Sequence, residues 1–203
     1  MTPETAPLAL LGNEASEAVD DLLRERGIDL VTETYPFRVE GGGLQVVPAG
    51  RIEADAVVSL PRLRGVPLSG VPQDENYFIP VDSLGRVTEL EDVYAAGDIT
   101  TFPVKQGGLA AQQADVVATA IAAAAGADVT PEPFEPVLRA LVLSSSPPFL
   151  RTELGGGRGD VSSADTEALW WPASKIAAPY LSPYLAERAG LAYRSTGERT
   201  SLL

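Results

Sequence analysis

Residues 93–98 have the sequence Val-Tyr-Ala-Ala-Gly-Asp, and this stretch decides the fold of the chain. Its first four residues are small or apolar and predict a short buried strand. Gly97 then lets another part of the backbone approach closely, and the carboxylate of Asp98 offers two acceptors at the carboxyl end of that strand. Because open α/β sheets bind ligands beyond this end, a site for sugar hydroxyl groups is predicted here. The alternative is a buried strand followed by an Asp that caps a helix.

A long helix is predicted shortly after this stretch, from about Gly107 to Ala125. Its apolar stripes are rich in alanine, which predicts very close packing against a sheet. The first turn of a helix has free N–H groups and a partial positive charge. The predicted helix therefore presents an end that attracts electron-rich groups close to Asp98.

The N-terminal region combines a predicted parallel unit with an antiparallel hairpin. A strand at 8–12, a helix that Asn13 caps and Gly27 ends, and a strand at 28–32 follow one another with short joints. Strand, helix and strand in this order form the unit of a parallel sheet. A hairpin is predicted at 37–47, where two alternating segments flank three glycines.

Further short strands are predicted along the rest of the chain. They lie at 56–60, 78–81, 86–88, 137–143 and 149–154. Residues 61–72 are rich in Pro and Gly and predict a loop or a domain crossing. A helical stretch from Ile176 to Leu185 comes last, and Pro179 and Pro183 must kink or split it.

Four aromatic residues of the C-terminal region, Trp170, Trp171, Tyr180 and Tyr184, have two open interpretations. They could form a surface that faces a quinone or a membrane, or they could pack in a core or a dimer interface. The second interpretation is favoured because few Lys and Arg residues lie nearby to bind an anionic bilayer.

The composition excludes several classes of function. The chain has 28 acidic and 15 basic residues and a net charge of −13, which argues against nucleic acid or an anionic membrane as a partner. It has no His and no Cys, which removes most transition-metal sites, disulfides, thiol nucleophiles and a Ser-His-Asp triad, so no metal site is predicted. No signal peptide and no transmembrane segment is recognisable, and a soluble, cytoplasmic protein is expected.

The decisive stretch and its flanks resemble one known family. Tyr94-Ala95-Ala96-Gly97-Asp98 resembles the second FAD-contact motif of the pyridine nucleotide(-disulfide) oxidoreductases, and the run-up at 79–93 is similar to the family's approach to it. Residues 103–114 resemble the flavin-facing helix of the same enzymes. The chain is most similar to the branch of type II NADH dehydrogenases and sulfide:quinone reductases, in which Lys105 and the pair Gln112-Gln113 recur. The absence of Cys counts against sulfide:quinone chemistry itself.

The resemblance implies an α/β fold with the C-terminal halves of two Rossmann-like domains. Residues 1–60 would be the second half of an NAD(P)H-binding domain, and 61–128 the C-terminal part of an FAD-binding domain. Residues 129–203 would be a small α+β interface domain.

The resemblance also implies FAD as the cofactor of the complete protein and NAD(P)H as its substrate. The cofactor-binding residues it implies are Gly97, Asp98, Lys105, Gln106, Gly107 and Gly108. The helix N-terminus would face the pyrimidine end of the flavin and stabilise the negative charge of the reduced ring. No residue is assigned a catalytic role.

The chain departs from the family in one important respect. No Gly-x-Gly-x-x-Gly sequence follows a strand, so the loops that hold both pyrophosphates are absent, and Gly155 to Gly159 is not a substitute. A C-terminal portion that is not competent alone is therefore expected, completed by the N-terminal half of the same enzyme or by a separate chain. Self-association into a homo-oligomer is expected as well. The alternative is a non-enzymatic docking module.

Overall fold

The computed structural model describes residues 1–48, 50–60, 62–143, 148–154, 162–171 and 176–191. Three α-helices lie in this part of the chain: α1 (Asn13–Glu25), α2 (Gly107–Ala124) and α3 (Leu181–Arg188). Six strands accompany them: β1 (Tyr35–Glu40), β2 (Gly43–Val47), β3 (Gly50–Glu53), β4 (Val137–Leu141), β5 (Phe149–Glu153) and β6 (Ser162–Asp165). Short 3₁₀ turns lie at Ala9–Leu11 and Gly97–Ile99. The predicted α/β class is confirmed.

The first sheet is an antiparallel meander in the order β1-β2-β3. The predicted hairpin is confirmed, with Glu40 opposite Gly43 across a two-residue turn. Gly41 and Gly42 have φ values of 57° and 78°. Positive φ at both central residues is what the favoured hairpin turn requires, so the glycines determine the register here.

Three predicted strands in the first 60 residues are wrong. Residues 8–12 form a 3₁₀ turn, and α1 begins at Asn13 itself, after Gly12 and without a side-chain cap. Residues 28–32 run without a ladder, and Val31 instead accepts a hydrogen bond from the N–H of Thr2 (2.8 Å). Residues 56–60 belong to no strand. A strand of a parallel sheet needs neighbouring strands for its backbone groups, and the described chain places none beside these segments.

The segments on either side of the decisive stretch pair through single bridges rather than ladders. Val81 bridges Val87 and Arg86 bridges Tyr94 in antiparallel fashion, whereas Ile79 bridges Thr100 in parallel. The strands predicted at 78–81, 86–88 and 93–96 are therefore present only as isolated pairings. They still bring 78–81 and 86–88 against the Gly97 region.

The second sheet has the order β4-β5-β6 and confirms the strands predicted at 137–143 and 149–154, each slightly shorter than predicted. The buried core joins this sheet to both long helices. Its members come from three separate parts of the chain: Leu11, Ala15, Val19, Leu109, Leu138 and Leu150. This core draws on all three predicted domains. The domain boundaries after residues 60 and 128 therefore stay a prediction.

The aromatic residues of the C-terminal region separate into two groups. Trp170 is 6% exposed and meets Phe149 edge to face at 5.2 Å between ring centroids, so it packs in the interior. Tyr180 and Tyr184 are exposed. Pro183 lies in the first turn of α3, where a proline is tolerated, and the helix is accordingly short.

The predicted glycine loop at 155–159 lies outside the described residues. No helix in the described ranges combines the length and the apolar character that crossing a membrane requires.

Candidate functional site

The site is built around Gly97, which lies where the decisive stretch meets α2. Its φ is 81°, and a Cβ atom here would lie 3.2 Å from Cβ of Ala110. Its N–H donates to Oε1 of Gln113 at 2.5 Å, and Gln113 is only 8% exposed. Gly97 thus fits closely against the first two turns of α2, as the sequence predicts for a glycine at this position.

Asp98 follows within the same 3₁₀ turn and is exposed. No hydrogen bond to its carboxylate is made by the residues that the structure describes. The turn is held from behind by Thr100, which is fully buried and donates to the carbonyl oxygen of Gly97 through its N–H (3.1 Å) and its Oγ1 (2.9 Å). The acceptors of Asp98 therefore remain open on a rigid turn.

Lys105 is half-buried in the loop before α2. Its Nζ donates to the carbonyl oxygens of Phe102 (2.6 Å) and Thr100, and lies 3.9 Å from the centroid of the Phe78 ring. Burial lowers the pKa of Lys105, and the negative charges of Asp98 and Asp74 partly oppose this shift. The ammonium group is thus directed into its own loop.

Gln106 is the N-cap of α2, and both ends of its side-chain amide are engaged. Oε1 accepts from the N–H of Leu109 (3.2 Å), and Nε2 donates to the carbonyl oxygen of Arg139 (2.6 Å). Gly107 is exposed, with nothing within 4 Å of a Cβ built there. The N–H groups of Gly107 and Gly108 have no hydrogen-bond partner among the described residues. Gly108 is buried, so the helix presents one exposed and one buried backbone donor at its N-terminus.

The structure thus packs the turn that carries the exposed Asp98 against the first two turns of the 18-residue helix α2. Asp98 can accept hydrogen bonds from hydroxyl groups, and the N–H groups of Gly107 and Gly108 can stabilise a negatively charged oxygen. The side chains of Lys105 and Gln106 are used within the protein. Across the described ranges, no group of three or more acidic residues is arranged to hold a metal ion.

Sequence reasoning missed the residues that hold this site from behind. Thr100 was not singled out, although a Thr three residues after Gly97 can bond back to the turn. Gln112 and Gln113 were noted only as a recurring pair. Gln113 binds Gly97, and Gln112 both donates to the carbonyl oxygen of Val137 (2.9 Å) and accepts from its N–H (3.0 Å).

A cavity of about 1150 Å³ lies on the other side of the Gly97 turn, against Gly85, Ala95 and Gln113. Neither Asp98 nor any of residues 105–108 lines it. A smaller cavity of about 520 Å³ lies between α2 and Tyr180, where Asp115 lines the wall. Neither of these two cavities is lined by Asp98 or by residues 105–108.

The fold and this site define the class of the protein: an α/β protein in which a Gly-Asp turn packs against the first two turns of a long helix. The chain belongs to the pyridine nucleotide-disulphide oxidoreductase family, whose family model matches residues 3–126, more than half of its length. The resemblance drawn from residues 79–114 is thereby confirmed at the level of the family.

Solved structures share the fold. The sulfide:quinone oxidoreductase of the hyperthermophilic bacterium Aquifex aeolicus has a TM-score of 0.62 and 14% identity, over 95% of this chain and 54% of that one. An NAD-dependent persulfide reductase from A. fulgidus has a TM-score of 0.53 and 20% identity, over 75% of this chain and 30% of that one. The chain thus spans about half the length of the first of these proteins. Among curated proteins, no sequence matches it.

Proposed function

We propose that this chain is the C-terminal portion of a flavoprotein oxidoreductase that passes electrons from NAD(P)H through FAD to an acceptor. The observation that carries the proposal is the exposed carboxylate of Asp98 on a turn that packs against the first two turns of α2. These groups fit a flavin. The carboxylate of Asp98 offers acceptors to the ribityl hydroxyl groups, and the first backbone N–H groups of α2 offer donors to a ring oxygen that gains negative charge when the flavin is reduced. FAD, when bound, supplies the hydride and electron chemistry.

Within this proposal the residues of the chain have separate roles. Asp98 binds the sugar-like part of the cofactor, and the N–H groups of Gly107 and Gly108 face its pyrimidine end. Gly97 permits the close approach of the turn to α2, and Gln106 keeps the first turn of α2 in place. No described residue is assigned to proton transfer.

The remaining half of each cofactor site is proposed to come from a partner with glycine-rich loops, either the N-terminal half of the same enzyme or a separate chain. Two observations support this. The chain contains no Gly-x-Gly-x-x-Gly loop. It also exposes apolar side chains on the first sheet and the segment after it, including Phe37 (72%), Val58 (90%) and Leu60 (94%). Apolar surface of this kind marks a place where another polypeptide packs.

Finer features are also proposals. The recurrence of Lys105 and Gln112-Gln113 favours the type II NADH dehydrogenase branch, with a quinone as the acceptor. The exposed Tyr180 and Tyr184 favour a homo-oligomer. A cytoplasmic location is proposed because the net charge of −13 does not favour binding to an anionic membrane surface.

The proposal is tested by producing this chain with and without the polypeptide encoded directly upstream. The complex is expected to be yellow with one FAD per chain, and the chain alone colourless, because backbone N–H donors to the pyrophosphate are missing. A colourless complex would favour the docking module. Stoichiometric flavin on the chain alone would contradict the division of the cofactor site.

A further inference from the structure

The ammonium group of Lys105 is engaged within the loop that joins the Gly97-Asp98 turn to α2. It donates to the carbonyl oxygens of Thr100 and Phe102 and lies over the Phe78 ring. A distance of 3.9 Å to the ring centroid is within the range of a cation–π interaction. Two of the three N–H donors of the ammonium thus bind carbonyl oxygens of the loop, and the ring of Phe78 lies against the cation.

The carbonyl groups that Lys105 binds belong to a loop that holds Asp98 in place. Thr100 donates twice to the carbonyl oxygen of Gly97, and the N–H of Thr101 donates to the carbonyl oxygen of Ile79 (3.0 Å). Lys105 is therefore linked through one residue to the turn that carries Asp98. The next residue in the sequence, Gln106, begins α2.

The charge of Lys105 also acts on this turn. Its electrostatic interaction with Asp98 and Asp74 opposes the effect of burial on its pKa, although no ion pair joins Lys105 to a carboxylate among the described residues. The half-buried cation of Lys105 and the carboxylate of Asp98 therefore attract each other.

We propose that Lys105 is a positioning residue that clamps loop 100–105 and so holds the turn that carries Asp98 against the first two turns of α2, without contacting the cofactor. This replaces the direct flavin contact that the family resemblance implies for Lys105. The functional meaning rests on the proposed flavin site, whereas the clamp is a property of this chain and is measurable without flavin.

The clamp is tested by hydrogen–deuterium exchange of the flavin-free chain. Lys105→Met is expected to speed exchange of the Ile79, Thr100 and Thr101 amides about tenfold or more, because their loop opens locally. Arg64→Met is the matched control: Arg64 also lies over an aromatic ring, 4.9 Å from the centroid of Tyr77, but binds no carbonyl of this loop. Wild-type exchange in Lys105→Met, or equal acceleration in Arg64→Met, overturns the proposal.

Lys105→Arg keeps a cation with several donors and serves if the Met variant does not fold. Its exchange is expected to lie closer to wild type than that of Lys105→Met. A loop that opens equally in both variants would show that the donors of Lys105 do not hold it, and would overturn the clamp.

The completed flavoprotein supplies the second readout. Lys105→Met is expected to weaken FAD binding about tenfold while the midpoint potential of the bound flavin changes little, because Lys105 acts through the loop. If Lys105→Met shifts the midpoint potential of the flavin but leaves amide exchange at the wild-type rate, the clamp is overturned in favour of direct contact between Lys105 and the flavin. If Lys105→Met speeds amide exchange but the complex of this chain with its upstream partner never binds FAD, the clamp is supported. The proposed flavoprotein function is then wrong.

Discussion

At the scale of single residues, the site depends on a division between side chains that face outward and side chains that hold the backbone. Asp98 is exposed, whereas Thr100 and Gln113 are buried and bind the backbone of Gly97 from two sides. Gln113 accepts from the N–H of Gly97, and Thr100 donates to the carbonyl oxygen of Gly97, so neither backbone group is left without a hydrogen-bond partner beside α2. The exposed carboxylate is thereby held on a turn that has little freedom to move.

Loss of Asp98 is expected to weaken the binding of FAD to the completed enzyme roughly ten- to hundredfold. The reason is that a hydrogen bond to a charged group contributes about 1.5–3 kcal/mol. Asp98→Asn keeps one acceptor and should fall between wild type and Asp98→Ala. The measurement is flavin affinity by titration. Asp128→Ala, at an exposed position after α2, is the control, and the site is wrongly placed if this control loses FAD while Asp98→Ala retains it.

Gly97→Ala is expected to lower the free energy of unfolding by about 1–3 kcal/mol, because the new Cβ meets positive φ and a crowded helix face. The control is Gly70→Ala, at φ 80° with nothing within 4 Å of its Cβ, which isolates the backbone effect. Denaturant unfolding measures both variants. Equal losses would mean that contact with Ala110 does not matter.

At the scale of elements, α2 is the part to which the rest of the site is attached. Leu109 enters the core, Gln113 binds the Gly97 turn, and Gln106 and Gln112 bind the backbone of β4. Three glutamines thus use their amides to join a helix to backbone groups outside it. The alanine-rich sequence leaves room for this close packing but does not itself specify its partners.

Gln112→Leu is expected to lower the free energy of unfolding by about 1–3 kcal/mol, because it leaves the N–H of buried Val137 without a partner and its carbonyl oxygen with only a 3.5 Å hydrogen bond from Arg139. Gln45→Leu is the matched control: this half-buried amide of β2 makes no hydrogen bond with the described residues. Urea denaturation measures the free energy of unfolding of both variants. Similar decreases in the two variants would show that the hydrogen bonds of Gln112 to β4 do not stabilise the fold.

Asp115 predicts a pH dependence at the contact of α2 with the start of α3. Burial raises the pKa of Asp115 above the ordinary value of 3.8, while a hydrogen bond from the backbone of Tyr180 lowers it. Because the folded state binds the proton more tightly, stability falls as pH rises from 3.8 through the raised value, then stays constant. Asp115→Asn escapes this loss.

The melting temperature of Asp115→Asn is therefore expected to exceed that of the wild type by less than about 3 °C near neutral pH. The difference should shrink as the pH falls toward 3.8. Thermal unfolding between these limits gives the comparison. A difference that grows on acidification would contradict the raised pKa of Asp115.

At the scale of the whole molecule, the core is shared by α1, α2 and the second sheet, and the first sheet is left largely uncovered. The contacts of β1, β2 and β3 with other elements are mainly with one another. Phe37 and Val39 lie exposed on the edge strand β1. An edge of this kind offers unpaired backbone groups and apolar side chains to another chain.

The isolated chain is therefore expected to self-associate, more strongly at high salt because screening weakens the repulsion between chains of charge −13. Light scattering at micromolar concentration is the measurement. Phe37→Ser with Leu60→Ser should reduce association, while Tyr180→Ser with Tyr184→Ser tests the C-terminal surface independently. A monodisperse monomer at every salt concentration would contradict the expectation.

Local patterns determined the elements that need no distant partner. The periodicity of α2 and the glycine pair at 41–42 each specify their own backbone conformation. The Gly-Asp turn at 97–98 was recognisable for the same reason, since its conformation and its exposed carboxylate are properties of consecutive residues. Family membership followed from this stretch.

The tertiary structure decided which segments pair and where side chains point. Residues 28–32 and 56–60 have the composition of strands but form none, because a strand requires neighbours that consecutive residues do not supply. Lys105 sits in a motif that suggests a cofactor contact, yet its ammonium group binds two carbonyls of its own loop. Hydrogen-bond partners depend on the path of the backbone through space, and for a long side chain that path is set only once the whole chain has packed.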